Sequence, residues 1–291
     1  MKKTFVIGSS VCDVIIRVHH LPQSQADENI LNQIFSIGGC AYNVASILRY
    51  FHVPYTLFSP IGSGIYGDFV KQKFIENDIP ILLETKQKNG CCYCLVDDSG
   101  ERTFMCEHGA EYVFQKIWFS LLEQEEYEQV YICGLEIEEK TGDNIIEFLE
   151  HHPYMKIFFA PGPRINEISK DKIARLFALH PILHLNLNEI LSFTQQNCLL
   201  DAVHALYQQT QHDIIVTLGE KGCSYFHDFQ EIFIPAIKTE VVDTIGAGDS
   251  HIGTIIALQA MQKDMLESLT RANQIAAKIV SQQGATFQKI R

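Results

Sequence analysis

Short apolar runs alternating with segments of helical periodicity restrict this chain to few folds. TFVIG, YTLFSPI, QVYICGL, KIFFAP, ILHLNL and DIIVTLG each read as a buried strand. Between them, AYNVASILRYF, GDNIIEFLEHH and DAVHALYQQTQ carry apolar residues at the spacing of a helix with one buried face. Strand alternating with helix predicts an α/β protein, a mainly parallel sheet covered by helices on both faces. Right-handed crossovers then gather the loops from the strands' C-terminal ends along one edge, where ligands bind. The 291 residues are enough to bury a core of this size.

Two stretches break the rhythm. Residues 12–37 carry VIIRV, a polar turn and ILNQIFSI; residues 91–107 carry CCYCLVDD, a turn at Ser99-Gly100 and ERTFMCE. Both predict hairpins outside the main layer, a small β-sheet lid over the edge of one α/β domain spanning 1–291. No repeat, low-complexity tract or linker divides the chain. A formal net charge of −12 argues against sequence-independent nucleic-acid binding, which needs a positive surface. No run approaches the roughly 18 apolar residues of a membrane span. Asp13 and Arg17 interrupt the apolar start, so it reads as a buried strand of a cytoplasmic protein rather than a signal peptide. Cys91 and Cys94 form the one C-x-x-C, but strand alternation sends them to opposite faces, and no second pair completes a zinc site. The nine cysteines are expected to be free thiols in a reducing compartment.

Gly62, Gly64 and Gly67 spell a G-x-G-x-x-G after an apolar run, and Glu84 follows in the strand-like PILLE. Taken alone, this predicts a dinucleotide site and an NAD-dependent oxidoreductase.

The stretch VVDTIGAGDSHIGTIIALQAMQ, Val241 to Gln262, points elsewhere. An apolar lead-in reaches Asp243, then Gly246-Ala247-Gly248 and Asp249 open a helical pattern. A glycine turn at a helix N-terminus aims backbone N–H groups and the positive end of the dipole at one spot, an anion site. A carboxylate there repels phosphate, yet it fits if Asp249 takes the proton from a hydroxyl attacking that phosphate. The alternative is an Asp that merely caps its helix.

The string D-T-x-G-A-G-D-S resembles the signature of the ribokinase-like, or PfkB family, carbohydrate kinases. The resemblance implies that Asp249 is the catalytic base and that Gly246, Ala247 and Gly248 form the anion hole. VIGSSVCDVII resembles the family's first strand, implying that Asp13 binds sugar hydroxyls, and SIGGCAYNVASIL its substrate motif, with Gly38, Gly39 and Asn43. Such glycines let a ligand approach the backbone, while Asp and Asn supply directional bonds to a polyol. NLNE resembles the family's N-x-x-E motif, placing Asn186 near phosphate and Glu189 near magnesium through water. Thr217 and Gly219 in VTLGEKG are implied to lie near ATP, and Asn273 near the adenine. Asp243 is implied to face a monovalent cation such as K+.

Three departures stand out. Gly64 occupies a position where the family usually has Asp, which would create the dinucleotide fingerprint by accident. APGPR, Ala160 to Arg164, stands for D-P-N-x-R, and His251 stands where an aromatic is common. No G-x-x-x-x-G-K-[ST] occurs, so a P-loop is absent. The resulting expectation is ATP- and Mg2+-dependent phosphotransfer to a primary hydroxyl of a small sugar or nucleoside, in a homodimer joined through the lid. A catalytically inactive sugar-binding regulator is the remaining alternative, suggested by Gly64 and Ala160. Glu136 after QVYICGL and Arg102 on the lid are further candidates, the first for substrate and the second for a solvated turn or an acceptor's phosphate.

Overall fold

The computed structural model describes residues 3–100, 102–122, 126–282 and 284. The chain begins with β1 (Lys3–Ile7), β2 (Val11–Arg17) and β3 (Asn32–Gly38), followed by α1 (Cys40–Tyr50). Next come β4 (Tyr55–Phe58), β5 (Ile61–Ser63) and α2 (Gly64–Glu76), then β6 (Glu84–Lys88), β7 (Cys91–Val96) and β8 (Arg102–Glu107). β9 (Tyr127–Cys133) leads through α3 (Gly134–Glu138) and α4 (Gly142–Glu150) to β10 (Lys156–Ala160). α5 (Lys170–Phe177), β11 (Ile182–Asn186), α6 (Leu187–Thr194), α7 (Leu199–Thr210) and β12 (Ile214–Thr217) continue the alternation. The hairpin β13 (Gly222–His227) and β14 (Gln230–Pro235) precedes α8 (Ala247–Ala260) and α9 (Met265–Val280).

Eight strands form the main sheet in the order β14-β13-β12-β11-β10-β9-β1-β4. Its strands from β4 to β12 run parallel; only the β13–β14 hairpin, which the apolar pattern did not announce, is antiparallel. Both faces are buried, as an α/β sheet requires. Phe5, Ile7 and Phe159 pack on one side, and their neighbours Val6 and Phe158 on the other. Full burial of one such side chain contributes roughly 1.5–3 kcal/mol, and the helices add further buried residues such as Leu149, Leu206 and Ile255 to the same clusters.

The second sheet has the order β3-β2-β7-β8. Its register sets Ser36, Asp13, Cys92 and Cys106 side by side in one row. Four residues further along, Asn32, Arg17, Val96 and Arg102 form another row on the same face, because strand side chains alternate with period two. The opposite face packs on α2, where Phe35 meets Tyr66 and Phe69 edge-on and Tyr93 shares a 2.8 Å hydroxyl bond with Tyr66. Cys91 and Cys94 do fall on opposite faces of β7, and all nine cysteines are free.

The G-x-G-x-x-G belongs to none of this parallel layer. β5 pairs only with β6 in a two-stranded piece, and residues 80–83 of the strand-like PILLE are irregular. A Cβ on Gly62 would lie 2.5 Å from the Asn89 backbone nitrogen, and one on Gly67 would lie 2.1 Å from the Gly62 carbonyl oxygen. Gly62 and Gly67 are thus closed by the protein's own backbone, and of the three only Gly64 has open space at its Cβ position. Glu84 pairs with Lys71 at 2.6 Å on the surface. FQKIWFSLL, helical by spacing, forms a tighter 3-10 turn over Lys116–Leu122, with Trp118 packed on the core.

Gly67→Ala should therefore destabilise the fold by about 1–3 kcal/mol, the usual penalty for an overpacked position, read as a lower thermal midpoint. An unchanged midpoint would mean that this backbone approach is looser than described.

Candidate active site

Helix α8 is apolar around its whole circumference, with Ile252, Ile255, Ile256 and Leu258 all buried, so it packs through the interior rather than on a surface. Gly253 lets it approach α1: a Cβ there would come within 3.1 Å of the Ile47 side chain. The approach sets Asn43 of α1 against Asp249 in the first turn of α8, where Asn43 Nδ2 donates to Asp249 Oδ2 at 2.8 Å. Gly246, at φ 73°, takes the left-handed turn that starts the helix. The N–H groups of the first turn have no intrahelical acceptor, and a Cβ on Gly248 would meet nothing within 4 Å. The turn thus has donors and open space together. The apolar lead-in is not a strand, since Val241 and Val242 are exposed and the segment is irregular.

The residues of the acceptor motif gather around Asp249. Gly38 ends β3 under the Asp13 carboxylate, whose Oδ2 would stand 2.1 Å from a Cβ at that position. Gly39, at φ 96°, passes over the Ser9 carbonyl, which would lie 2.4 Å from its Cβ. Both glycines are thus needed for the chain's own close packing, a reason beyond ligand approach. Glu136 in α3 reaches the end of β1, where its Oε1 accepts from the Ser9 backbone N–H at 2.8 Å. Its Oε2, Ser10 Oγ and Asn43 Oδ1 are buried without a protein hydrogen-bond partner. Glu136 stands among these groups through the fold, a placement its lone position after a strand only hinted at.

Burial pushes the Asp13 carboxyl up to about 7, with further help from Cys106 and Asp249. Burial also raises Glu136 to about 7, against the bonds from Ser9, and Asp249 to about 6, against bonds from Asn43 and Cys40. An acidic cluster short of donors is what this part of the molecule presents.

The other candidate residues lie at the ends of β11 and β12. Asn186 and Thr217 are directly paired across these strands, and Gly219, at φ 60°, follows with open space at its Cβ position. Asn186 and Glu189 form a capping box: Glu189 N donates to Asn186 Oδ1 at 2.9 Å, and Asn186 N donates to Glu189 Oε2 at 2.9 Å. Asn186 Nδ2 also donates to Glu189 Oε1 at 2.7 Å. Each Glu189 oxygen therefore accepts one bond and keeps a further lone pair. This half-buried carboxylate fits a magnesium ion held through water better than one held directly. In the APGPR segment, Arg164 is engaged by Glu138 through Nε at 2.6 Å.

Asp243 receives three bonds. Ile245 N donates to Oδ1 at 2.8 Å, Gly284 N to Oδ2 at 2.9 Å, and Arg102 Nη1 of the second sheet to Oδ1 at 2.6 Å. Burial raises its carboxyl, but these bonds outweigh that and hold it below the ordinary value. The position expected to face a monovalent cation already faces a guanidinium. Arg102 is correspondingly no solvated turn residue, with its side chain only 19% exposed.

Asn273 is also taken up within the protein. Its Nδ2 donates to the carbonyls of Ile234 and Pro235, each at 3.1 Å, so its Oδ1 accepts from His251 Nε2 at 3.1 Å. That fixes His251 Nδ1 as the acceptor from His184 Nε2, 2.9 Å away. Both imidazoles are pushed down by burial, His251 to about 4, so the chain is neutral. It ties β11, α8 and α9 together. The side-chain amide of Asn273, expected near the adenine, is thus engaged within the protein.

This arrangement matches a known class of enzyme. The model of the pfkB family carbohydrate kinases matches residues 1–290, and the chain belongs to that family. The uncharacterized sugar kinase YegV of Escherichia coli is 30% identical over 97% of this chain and 90% of its own length. A nucleoside kinase of Thermoplasma acidophilum is 26% identical over 87% of this chain and 82% of its own. In fold, the chain superposes on the ribokinase of Thermotoga maritima with a TM-score of 0.87, at 20% identity, covering 98% of this chain and 95% of that one. The protein is an ATP-dependent carbohydrate kinase by family. No helix among the described residues is long and apolar enough to cross a membrane.

Raised carboxyls make stability pH-dependent with a definite sign. Asp13, Glu136 and Asp249 bind protons more tightly folded than unfolded, where they titrate near 3.8 to 4.5. Their contribution is full below pH 4 and is lost as pH rises through about 7. For the ligand-free protein, the wild-type denaturant midpoint, taken relative to that of the triple variant D13N/E136Q/D249N, should fall between pH 5.5 and pH 8. Parallel pH dependences for the two proteins would refute the cluster.

Proposed function

We propose that this kinase transfers the γ-phosphoryl group of ATP to a primary hydroxyl of a small sugar or nucleoside. One observation carries the reading: Asp249 sits beside the open N-terminus of α8 and is bonded to Asn43 of the acceptor motif. Asp249 removes the acceptor's proton as the hydroxyl attacks, and its raised carboxyl makes it a matched base near neutrality. Asn43 orients that carboxylate. Asp13, Glu136 and Ser10 accept or donate bonds to the acceptor's other hydroxyls, which offer Glu136 Oε2 and Ser10 Oγ the hydrogen-bond partners they lack within the protein. The Gly246-Ala247-Gly248 turn then offers its N–H groups to the phosphoryl oxygens as charge accumulates, Ala247 giving up its 3.3 Å bond to the Thr244 carbonyl.

ATP lies along the ends of β11 and β12, beside Thr217 and Gly219. Glu189, with Asn186 adjacent, would hold a magnesium ion through water, and the ion would neutralise phosphate charge. The second sheet serves as a lid, excluding water that would otherwise accept the phosphoryl group. Exposed Phe104 and Met105 on its edge strand β8 support a homodimer joined through the lid. The free thiols support a cytoplasmic setting. Neither alternative finds support. Two of the three glycines of the oxidoreductase reading, Gly62 and Gly67, are closed by backbone, and the base and turn that an inactive regulator could discard are present.

A coupled ADP-release screen over sugars and nucleosides should identify an acceptor, and Asp249→Asn should lower its turnover by at least about 100-fold with ATP affinity retained. Turnover near that of the wild type would reject Asp249 as the base.

A further inference from the structure

The ion pair between Arg102 and Asp243 joins parts of the chain 141 residues apart and is nearly closed to water, with side-chain exposures of 19% and 4%. On the sheet side, Arg102 lies two residues before Phe104 and four before Cys106, on the face that also carries Asp13. That face looks toward Asp249, whose charge raises Asp13. On the core side, Asp243 is a knot. Its carboxylate accepts from Ile245, next to the Gly246 turn, and from Gly284, while the N–H groups of Val242 and Asp243 donate to the Val280 carbonyl at 2.7 and 3.1 Å. One guanidinium thus grips the carboxylate that holds the start of the anion-binding turn.

We propose that Arg102 is a positioning residue that stands in for a monovalent cation at Asp243 and couples docking of the lid to the shape of the glycine turn. Oδ1 of Asp243 already accepts from Arg102 and Ile245, and Oδ2 from Gly284. An alkali ion on the same carboxylate would crowd a guanidinium that stays charged at any accessible pH. A buried carboxylate needs a compensating positive charge, and here the lid brings it. A free ion would neutralise Asp243 whether the lid were docked or not. An arginine on β8 does so only when the second sheet is seated, so the turn takes its working shape with the lid in place. Substrate enclosure and phosphoryl binding become one event.

The proposal rests on the phosphotransfer reading for its consequence in catalysis but not for its cation site. The test compares wild type, R102Q and R102K in potassium chloride and in choline chloride of equal ionic strength, so that screening is the same. Melting temperature is read without substrates, and turnover and KM are read with the acceptor found by screening. Wild type should melt and turn over alike in both salts. R102Q should lose about 100-fold in kcat, the scale of a misplaced reacting geometry, with a smaller change in ATP KM. Potassium should raise its melting temperature and restore part of its kcat, and R102K should fall between. Potassium stabilising wild type as much as R102Q would overturn the proposal, as would R102Q turning over at the wild-type rate in choline. Should R102Q fail to fold, wild type and R102K decide it: a potassium-induced rise in the wild-type melting temperature rejects it, and a rise confined to R102K upholds it. A chain that phosphorylates no acceptor would sink the phosphotransfer reading, while the melting temperatures would still report on the cation site.

Discussion

The contact between α1 and α8 is the constraint on which the candidate site depends. α8 can run through the interior only because its sides are apolar, and it can lie against α1 only because residue 253 lacks a side chain to hold Ile47 away. That approach brings Asn43 within 2.8 Å of Asp249. The two residues come from motifs 206 positions apart, and neither has meaning as a site without the other. Hydrophobic packing, which is non-directional, here sets a directional bond. The neutral His184–His251–Asn273 chain adds a polar tie one turn into the same helix. It limits sliding of α8 along the sheet, which apolar contacts alone resist weakly.

Electrostatics divide the sheet edge in two. Around the ends of β1 and β9, from Glu136 and from Asp13 of β2, the chain concentrates carboxyls that burial holds partly protonated near neutrality. At the ends of β11 and β12 it offers a capping box, a threonine and a glycine with open space. Hydroxyl donors suit the first half and a metal-bound triphosphate the second, and α8 begins between them. On the proposed reading, an acceptor whose hydroxyls bond Asp13 and Glu136 would replace the hydration that these carboxyls lose on burial. The same reading would link acceptor binding to the base through these buried charges, since Asp249 helps to raise Asp13.

Much of the fold was legible because apolar runs and helical spacing report burial directly. β1, β9, β10, β11 and β12 fall on the runs TFVIG, QVYICGL, KIFFAP, ILHLNL and DIIVTLG. The β13–β14 hairpin was not legible, since its outer strand is largely exposed and follows no apolar alternation. The signature around Asp249 was legible as a string, yet the spacing N-x-x-E could not separate a capping box from a metal ligand. Both uses need the same residues in the same place, and the structure contains the box. Arg102 and Asn273 were least legible, because their roles lie in partners. Nothing local in GERTF names Asp243, and nothing in RANQIAAK names His251.

The false dinucleotide fingerprint shows why spacing alone misled. Three glycines at that spacing meet two different demands: leaving room for a ligand, or leaving room for the chain itself. The first requires empty space at the missing Cβ. Gly62 and Gly67 meet backbone within 2.5 and 2.1 Å in a two-stranded piece off the main sheet. Gly246-Ala247-Gly248 satisfies the ligand demand with less conspicuous spacing, since its turn opens a long interior helix and the Cβ position of Gly248 is free. What distinguishes a binding turn from a packing turn is therefore the volume beside the glycine, which sequence spacing does not encode.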